Sequence, residues 1–298
     1  MKLIFYALLF ITIAACGRRE KEPDAYGNFI ADEIIVSSET SGKILAKFIG
    51  EGERIERGMV AYQIDTIQTH FKKMELYAQR KIVNAKRSGI QAQINVLHEQ
   101  ESALAKDLER FRNLLPQGAV SKKQVDDLEN NLSVVRKQIE QVGTSFLTVS
   151  AEADVLSASL AQVEDMLKRS KVRVPVSGTI LETYAETGES VNPGKPLFKL
   201  ASLDTIELKA YFSASALAEI RLGDSIQVLI DSGEEEYRKY SGRVSWIASE
   251  SEFTPRIIQT REERVNLVYA VKIKVPNDGY IKISMPGEAR IIRNAEQQ

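Results

Sequence analysis

The chain is poor in the residues from which most protein chemistry is built. Of its 298 residues one is cysteine, Cys16, and two are histidine, His70 and His98. No disulfide can form within the chain, and a zinc site made from several Cys or His ligands is excluded. A Ser-His-Asp or Cys-His centre is not excluded by number, but few residues are left to supply its base. An excess of charge of either sign is also lacking, since 40 Lys and Arg oppose 41 Asp and Glu. Phosphate binding needs a basic surplus, so nucleic acid is not an expected partner. No apolar run reaches the roughly 20 residues of a membrane-spanning helix. What is present is 43% hydrophobic and 27% charged, an ordinary globular mixture long enough for one to three domains.

The single cysteine has a telling position. Met1-Lys2 is followed by thirteen largely apolar residues, Leu3 to Ala15, and then by Cys16. One positive charge before a short apolar run reads as a secretory signal. The run ends Ile13-Ala14-Ala15-Cys16, which resembles the lipobox of bacterial lipoproteins. Small residues let a peptidase close around the backbone, and the thiol takes the lipid. Residues 1–15 are therefore expected to be removed and Cys16 lipidated. Residues 16–35 then form a polar tether and a first strand, and the rest of the chain lies outside the cytoplasm. An ordinary signal peptide with an incidental Cys16 is the alternative.

Two distant segments repeat each other. Residues 41–65 read SGKILAKFIGEGERIERGMVAYQID, and residues 177–201 read SGTILETYAETGESVNPGKPLFKLA. At a constant offset of 136 they share Ser, Gly, Ile, Leu, Gly, Glu and Gly. The pairs Gly52/Gly188 and Gly58/Gly194 predict matching tight turns, and Ile44/Ile180 and Ile55/Val191 predict matching buried strand positions. Twenty-five residues cannot bury a core alone, so the halves 36–65 and 171–202 are expected to pack together as one small β-sandwich.

Between the halves lies a helical pattern. From Val125 the apolar residues continue Leu128, Leu132, Val135, Ile139, Val142, Phe146, Val149, Ala153, Leu156, Leu160, Val163 and Leu167. The spacing alternates 3 and 4 without a break, which predicts a heptad seam. Ile90, Ile94, Leu97, Leu104, Leu108, Phe111 and Leu115 give a similar run, interrupted at Glu101. Before Ile90 the residues Ile67, Phe71, Met74, Ala78, Ile82 and Ala85 shift phase by one, predicting a less regular seam there. Pro116-Gln117-Gly118 is a helix stop and turn. Residues 66–170 should thus form two antiparallel helices of roughly 50 residues, each about 75 Å long. Asp65-x-x-Gln68 and Ser121-x-x-Gln124 predict their N-caps. A two-helix seam offers no substrate cavity, so this rod reads as a spacer or docking arm.

Residues 203–294 read as strands, followed by a short tail at 295–298. Ile206, Leu208, Ala210 and Phe212 alternate with outward residues. Val265, Leu267, Tyr269, Val271, Ile273 and Val275 predict a second alternating strand, and Gly223-Asp224 marks a turn before Ser225. The fold class expected is α+β and elongated: a long antiparallel coiled-coil hairpin inserted in a split β-sandwich, followed by a small β-barrel.

The split repeat resembles the two half-motifs of a biotinyl/lipoyl-like domain. The turn that carries the cofactor Lys in such domains is replaced here by the helical insertion. No acceptor Lys is matched, so no cofactor is expected. The order of parts, lipobox, half-motif, hairpin, half-motif and β region, is similar to that of the HlyD-type periplasmic adaptors, or membrane fusion proteins, of tripartite export pumps. That resemblance covers nearly the whole mature chain. It implies a non-enzymatic protein of a Gram-negative-type cell envelope, periplasmic and lipid-anchored, with the inner membrane as the expected site. Gly17 is not the Asp that retains some lipoproteins there, so the membrane holding the lipid stays open. The implied partners are an inner-membrane transporter, a TolC-like outer-membrane channel and further copies of the chain in a hexameric or trimeric ring. Family members that meet such channels carry R-x3-L-x6-S at the hairpin tip, and Arg110, Leu114 and Ser121 match that spacing. Each also has a plain reading, as a solvated charge, a seam flank and an N-cap. Phe253-Thr254-Pro255, Thr260 to Arg264 and Val268-Tyr269 resemble a segment of adaptors that serve ABC-type exporters. The family's closing Pro-Gly-Met is here Met285-Pro286-Gly287 after Ile283-Ser284, which leaves the register of the last strand open. The alternatives are a lipoyl/biotinyl-like carrier subunit, against which the missing Lys and the export signal count, and a lipoprotein that only spaces membranes.

Overall fold

The computed structural model describes residues 22–233, 236–253 and 267–293. Residues 1–15, read above as a signal, Cys16, residues 254–264 of the segment read as exporter-like, and Val265 of the predicted strand lie outside them. The architecture is the one expected: a helical hairpin, a β-sandwich and a β-barrel.

Both repeat halves supply strands to the sandwich. The first gives β2 (Glu33–Ser37), β3 (Gly42–Lys47), β4 (Arg54–Ile55) and β5 (Val60–Ile64). The second gives β6 (Lys171–Arg173), β7 (Gly178–Thr183), β8 (Ser190–Val191) and β9 (Pro196–Ala201). They interleave in two four-stranded sheets, β2-β9-β7-β4 and β6-β5-β3-β8, so neither half pairs mainly with itself. The bonds between halves are reciprocal. Gly52 N–H donates to the Ile180 carbonyl at 2.8 Å, and Gly188 N–H to the Ile44 carbonyl at 2.9 Å. Gly58 N–H donates to Val174 and Gly194 N–H to Ser38, both at 2.8 Å. The members of each pair are 136 residues apart, so the sequence repeat is a structural two-fold. All four glycines hold φ between +79° and +97°, a conformation that a Cβ disfavours. At the centre the equivalent residues Tyr62 and Phe198 stack, with ring centroids 6.0 Å apart. The Tyr62 phenol donates to the carbonyls of Ala185 and Leu197, at 3.0 and 3.2 Å.

The hairpin leaves this sandwich as α1 (Ile67–Leu114), turns through a 3₁₀ segment (Leu115–Gln117) and returns as α2 (Lys122–Arg169). In α2 all thirteen predicted seam positions are buried or half-buried, whereas Val134, Leu147 and Val155 between them are exposed. In α1 the predicted phase shift does not occur. Stepping back from Ile90 by threes and fours gives Arg87, Val83, Arg80, Leu76, Lys73 and Thr69. Leu76 and Val83 are buried on that line, while Ile67, Phe71, Met74 and Ile82 are more than half exposed. The seam runs straight through, with long cationic side chains at intervening positions. Asp65 also acts differently from its expected capping box. Thr66 is the N-cap residue, without a side-chain capping bond, and the Asp65 carboxylate accepts from Ile67 N–H at 2.9 Å.

The barrel is closed by a strand from the far end of the chain. β1 (Ala25–Ile30) lies between β10 (Thr205–Ser213) and β15 (Pro286–Ile291). With β11 (Ser225–Asp231), β12 (Tyr237–Ile247) and β14 (Leu267–Pro276) they form a closed ring, β10-β1-β15-β11-β12-β14, with β13 (Glu252–Phe253) appended to β14. The first strand of the 16–35 segment is therefore a barrel strand, and only from Glu33 does the chain enter the sandwich. A Cβ at Gly27 would meet the Lys209 carbonyl at 2.0 Å, which explains the glycine. The alternation predicted for β10 holds, with Ile206, Leu208, Ala210 and Phe212 all buried. In β14 it holds for Val271, Ile273 and Val275. Nearer the end that pairs with β13, however, Leu267 is half exposed and Val268 and Ala270 are buried.

These assignments can be tested by unfolding. Leu132→Ala or Leu160→Ala should cost about 2–5 kcal/mol, against no more than about 0.5 kcal/mol for Ile82→Ala, in urea melts followed by circular dichroism. Burial, reinforced by Glu186 and Glu189, pushes the Tyr62 phenol up to about 12. Because the folded value is raised, the stability it confers is complete below the ordinary tyrosine range near 10. It is lost as pH rises from there through 12. Tyr62→Phe should therefore lower the urea midpoint at pH 8 and narrow its deficit at pH 11.

Candidate functional site

The far end of the hairpin is built by local sequence chemistry. Pro116 lacks the N–H that would continue α1, and Gly118 closes the turn in the left-handed region at φ +67°, its N–H on the Leu115 carbonyl. Ser121 then starts α2 with a complete capping box. Its hydroxyl accepts from Gln124 N–H at 3.3 Å, and the Gln124 side chain accepts from Ser121 N–H at 2.8 Å. The same hydroxyl donates to Gln124 Oε1 at 3.0 Å. Below the turn, Leu108, Val125 and Leu132 form a small core with Phe111, Leu115 and Leu128 packed around it.

Arg110 and Leu114, one helical turn apart, share a face. They line a shallow groove with Lys106, Glu109, Asn113 and Gln117. The Arg110 guanidinium is exposed, bonded among the described residues only to Asp107 of its own helix at 3.0 Å and lying 5.8 Å from the Phe111 ring centroid. A surface pair of this kind is weak, so the guanidinium is available to another acceptor. Ser121 does not line the groove, and its hydroxyl is occupied by the cap. Arg112 points elsewhere and grips Glu129 of α2 through Nη2 at 2.6 Å. Sequence reasoning missed Lys106, Asn113 and Gln117, although their steps of 7 and 4 place them on the Arg110 face.

The rod is fixed to the sandwich by a second polar cluster. Lys73 pairs with Glu164 at 2.9 Å, and that contact raises the lysine and lowers the carboxyl from their usual ranges. Arg169 binds Asp165 and Glu39, and Arg173 donates to the Gly58 carbonyl. About two thirds of the way to the tip, Glu101 occupies the seam, its carboxyl held below the usual range chiefly by Arg136, with His98 also beside it. Neither recess assembles a nucleophile with a base. Among the described residues no group of His, Cys, Asp and Glu could hold a metal, and no helix is long and apolar enough to cross a membrane.

With the geometry in place, comparison with known proteins is informative. No family model matches the chain. The crystal structure of MacA from Actinobacillus actinomycetemcomitans matches 91% of this chain and 79% of its own, with a TM-score of 0.54 at 17% identity. The chain has the fold of MacA. In sequence, the chain is 24% identical over 294 residues to the UPF0194 membrane protein in the asrC 5' region of Acidithiobacillus ferridurans, covering 90% of this chain and 86% of that one. It is also 24% identical over 295 residues to the UPF0194 membrane protein YbhG of Salmonella paratyphi B, covering 91% and 88%.

The cap can be tested by itself. Ser121→Ala should cost about 1 kcal/mol, and Gln124→Ala in the same chain should add less than it does alone, because the two bonds form one box.

Proposed function

We propose that the protein is a non-enzymatic, lipid-anchored periplasmic adaptor that links an inner-membrane transporter to a TolC-like outer-membrane channel in an export pump. The observation that carries this reading is the exposed Arg110–Leu114 face at the end of a rod. Each 48-residue helix spans about 72 Å at 1.5 Å per residue. A closed barrel and sandwich at one end and a polar-apolar knob at the other suit an object that grips at its base and docks at its tip. The guanidinium can donate to the carbonyls that end a partner's helix, and Leu114 offers an apolar contact beside it. Ser121 contributes a small side chain that allows close approach. Lipidation at Cys16 would fix the other end, since the described chain begins beside β1 in the barrel. One hairpin encloses no passage, so several copies ring the path. An ABC-type transporter is the favoured partner, on the resemblance of the segment around Phe253 and Val268.

Export assays test the tip. Arg110→Asp and Leu114→Asp should abolish export while leaving the urea midpoint and membrane fractionation of the chain unchanged. Arg112→Gln is the control and should leave export near normal. Asp at position 112 would instead face Glu129 and disturb the hairpin itself. If Arg110→Asp exports as well as the Arg112→Gln control, the tip is only a solvated helix end and the reading fails.

A further inference from the structure

A patch of aromatic residues lies on the outer wall of the barrel. In β10 the inward residues Ile206, Leu208, Ala210 and Phe212 are buried, so Glu207, Lys209 and Tyr211 face out. Tyr26 of β1 is directly opposite Tyr211, and Lys272 of β14 lies between Lys209 and Trp246 of β12. Tyr26 is 59% exposed and Trp246 43%, while Tyr211 is half-buried. The Lys209 ammonium sits 5.3 Å from the Tyr211 ring centroid, and the Lys272 ammonium 6.0 Å from that of Trp246. Glu252 and Glu207 pair with these two lysines at 3.2 and 3.3 Å. The rings and their lysines thus carry no net charge once paired.

Strand direction puts the patch at a particular end. β1 runs toward Glu33, where the chain enters the sandwich, and β10 runs away from the sandwich. Tyr26 and Tyr211 are therefore at the barrel end remote from the sandwich and the hairpin. Ser213 pairs there with Val268 of β14, and Trp246 is next to the last residue of β12 at the same end. Ten residues lead from Cys16 to Tyr26 and span at most about 36 Å. Arg18, Arg19 and Lys21 lie within them.

We infer that this patch rests on the bilayer surface, with its rings and lysines at the depth of the lipid headgroups. It rests on the proposed lipid at Cys16 and adds to that anchor a second, non-covalent contact. Tyr and Trp suit this depth because each has an apolar body and a polar tip. Lysine stems lie along the rings while their ammonium groups stay in the polar layer. A patch already neutralised offers an acidic or basic protein little charge by which to be recognised. The cations at 18, 19 and 21 are drawn instead to anionic headgroups and bring the barrel end with them. A few side chains hold a bilayer only weakly by themselves, but a short tether keeps them at high effective concentration beside it. One covalent lipid limits the distance of the barrel and leaves its direction free. The patch decides which side of the barrel faces the membrane, and hence the direction in which the rod departs.

Trp246 is the one tryptophan of the chain and reports on the patch directly. The full-length chain is purified and bound to vesicles of phosphatidylethanolamine and phosphatidylglycerol, with or without bromine on the acyl chains. Bromine quenches only a ring that reaches the lipid. Trp246 should lose most of its emission in the brominated vesicles. Tyr26→Ser should abolish most of that quenching, with unchanged emission in detergent showing an intact barrel. Tyr237→Ser, at the other end of β12, should leave the quenching as it was. An unquenched Trp246 in a chain that floats with the vesicles would overturn the inference and leave a protein as the occupant of the patch. Equal quenching in the Tyr26→Ser chain would also overturn it, since nearness through the tether would then suffice. The mass of the purified chain shows separately whether Cys16 carries lipid, so loss of the anchor and failure of the patch are told apart. Quenching in a chain without lipid still supports the patch, and a chain without lipid that is not quenched overturns it. Export by the Arg110 and Leu114 variants is independent of all these outcomes.

Discussion

Everything in this molecule depends on the meeting of two half-motifs that lie 136 residues apart. The reciprocal bonds of Gly52 with Ile180 and Gly188 with Ile44, and the Tyr62–Phe198 stack on the axis between them, are made only when both halves are present. That closure decides what can be inserted. Gln63 of β5 pairs with Lys171 of β6, and Ile64 N–H donates to the Ser170 carbonyl at 2.9 Å. The chain must therefore return to the point it left. A helix of 48 residues cannot do so alone, but two of equal length joined by a tight turn can. The antiparallel hairpin is the straight-rod solution to a loop whose ends are tied together. The entropic cost of so long a loop rises only logarithmically with its length.

The rod is not held uniformly. Its buried residues form one cluster near the sandwich, around Leu76, Val83, Leu156 and Leu160, and another near the turn, around Leu108, Val125 and Leu132. Between them Val135 is buried but the other seam residues are only half-buried, and Glu101 enters the seam with Arg136 bound across. The tip core fixes the turn, and the base core with Lys73–Glu164 and Arg169–Glu39 fixes the direction of departure. The middle transmits position through backbone hydrogen bonds more than through side-chain packing. Gly89 and Gly143 both lie near the midpoints of their helices, and an added Cβ at either would meet nothing within 4 Å. Neither is explained by packing.

Much of this was legible in the chain because short-range patterns carried it. Thirteen apolar residues in α2 at steps of 3 and 4 specify a seam, and glycines at matching offsets specify matching turns. Where the reading failed, the decisive contact was distant or the pattern was doubled. The lower half of α1 carries two stripes. One is apolar and faces solvent, and the other, through Leu76 and Val83 with Lys73 paired across to Glu164, faces the partner helix. Counting apolar residues alone selects the wrong one, because long cationic stems can flank a seam as well as an aliphatic residue can. The place of β1 was invisible for another reason. Ala25 pairs with Phe212 and Ala289, and nothing local announces a partner so far away. At the tip, the chemistry of Arg110 and Leu114 was readable, but the groove they share with Lys106 and Asn113 required the helix to be built.

The tip also separates two roles that the sequence spacing had run together. A hydroxyl has one proton to donate, and that of Ser121 is given to Gln124 while its oxygen accepts the Gln124 amide. A partner approaching Ser121 finds a small side chain with little hydrogen-bonding capacity left. In the proposed docking, directed bonds would then come from Arg110, whose ion-pair partner among the described residues is a solvated carboxylate on its own helix. In that proposal Ser121 would act upstream of docking. By fixing the residue at which α2 starts, it sets the rotation of α2 against α1 and so the register in which Leu108 meets Val125 and Leu132. That small core holds the Arg110–Leu114 face at its angle to the rod. Loss of the cap would blur the presentation of the face without removing any group from it, and loss of the guanidinium would leave the presentation intact with nothing to present.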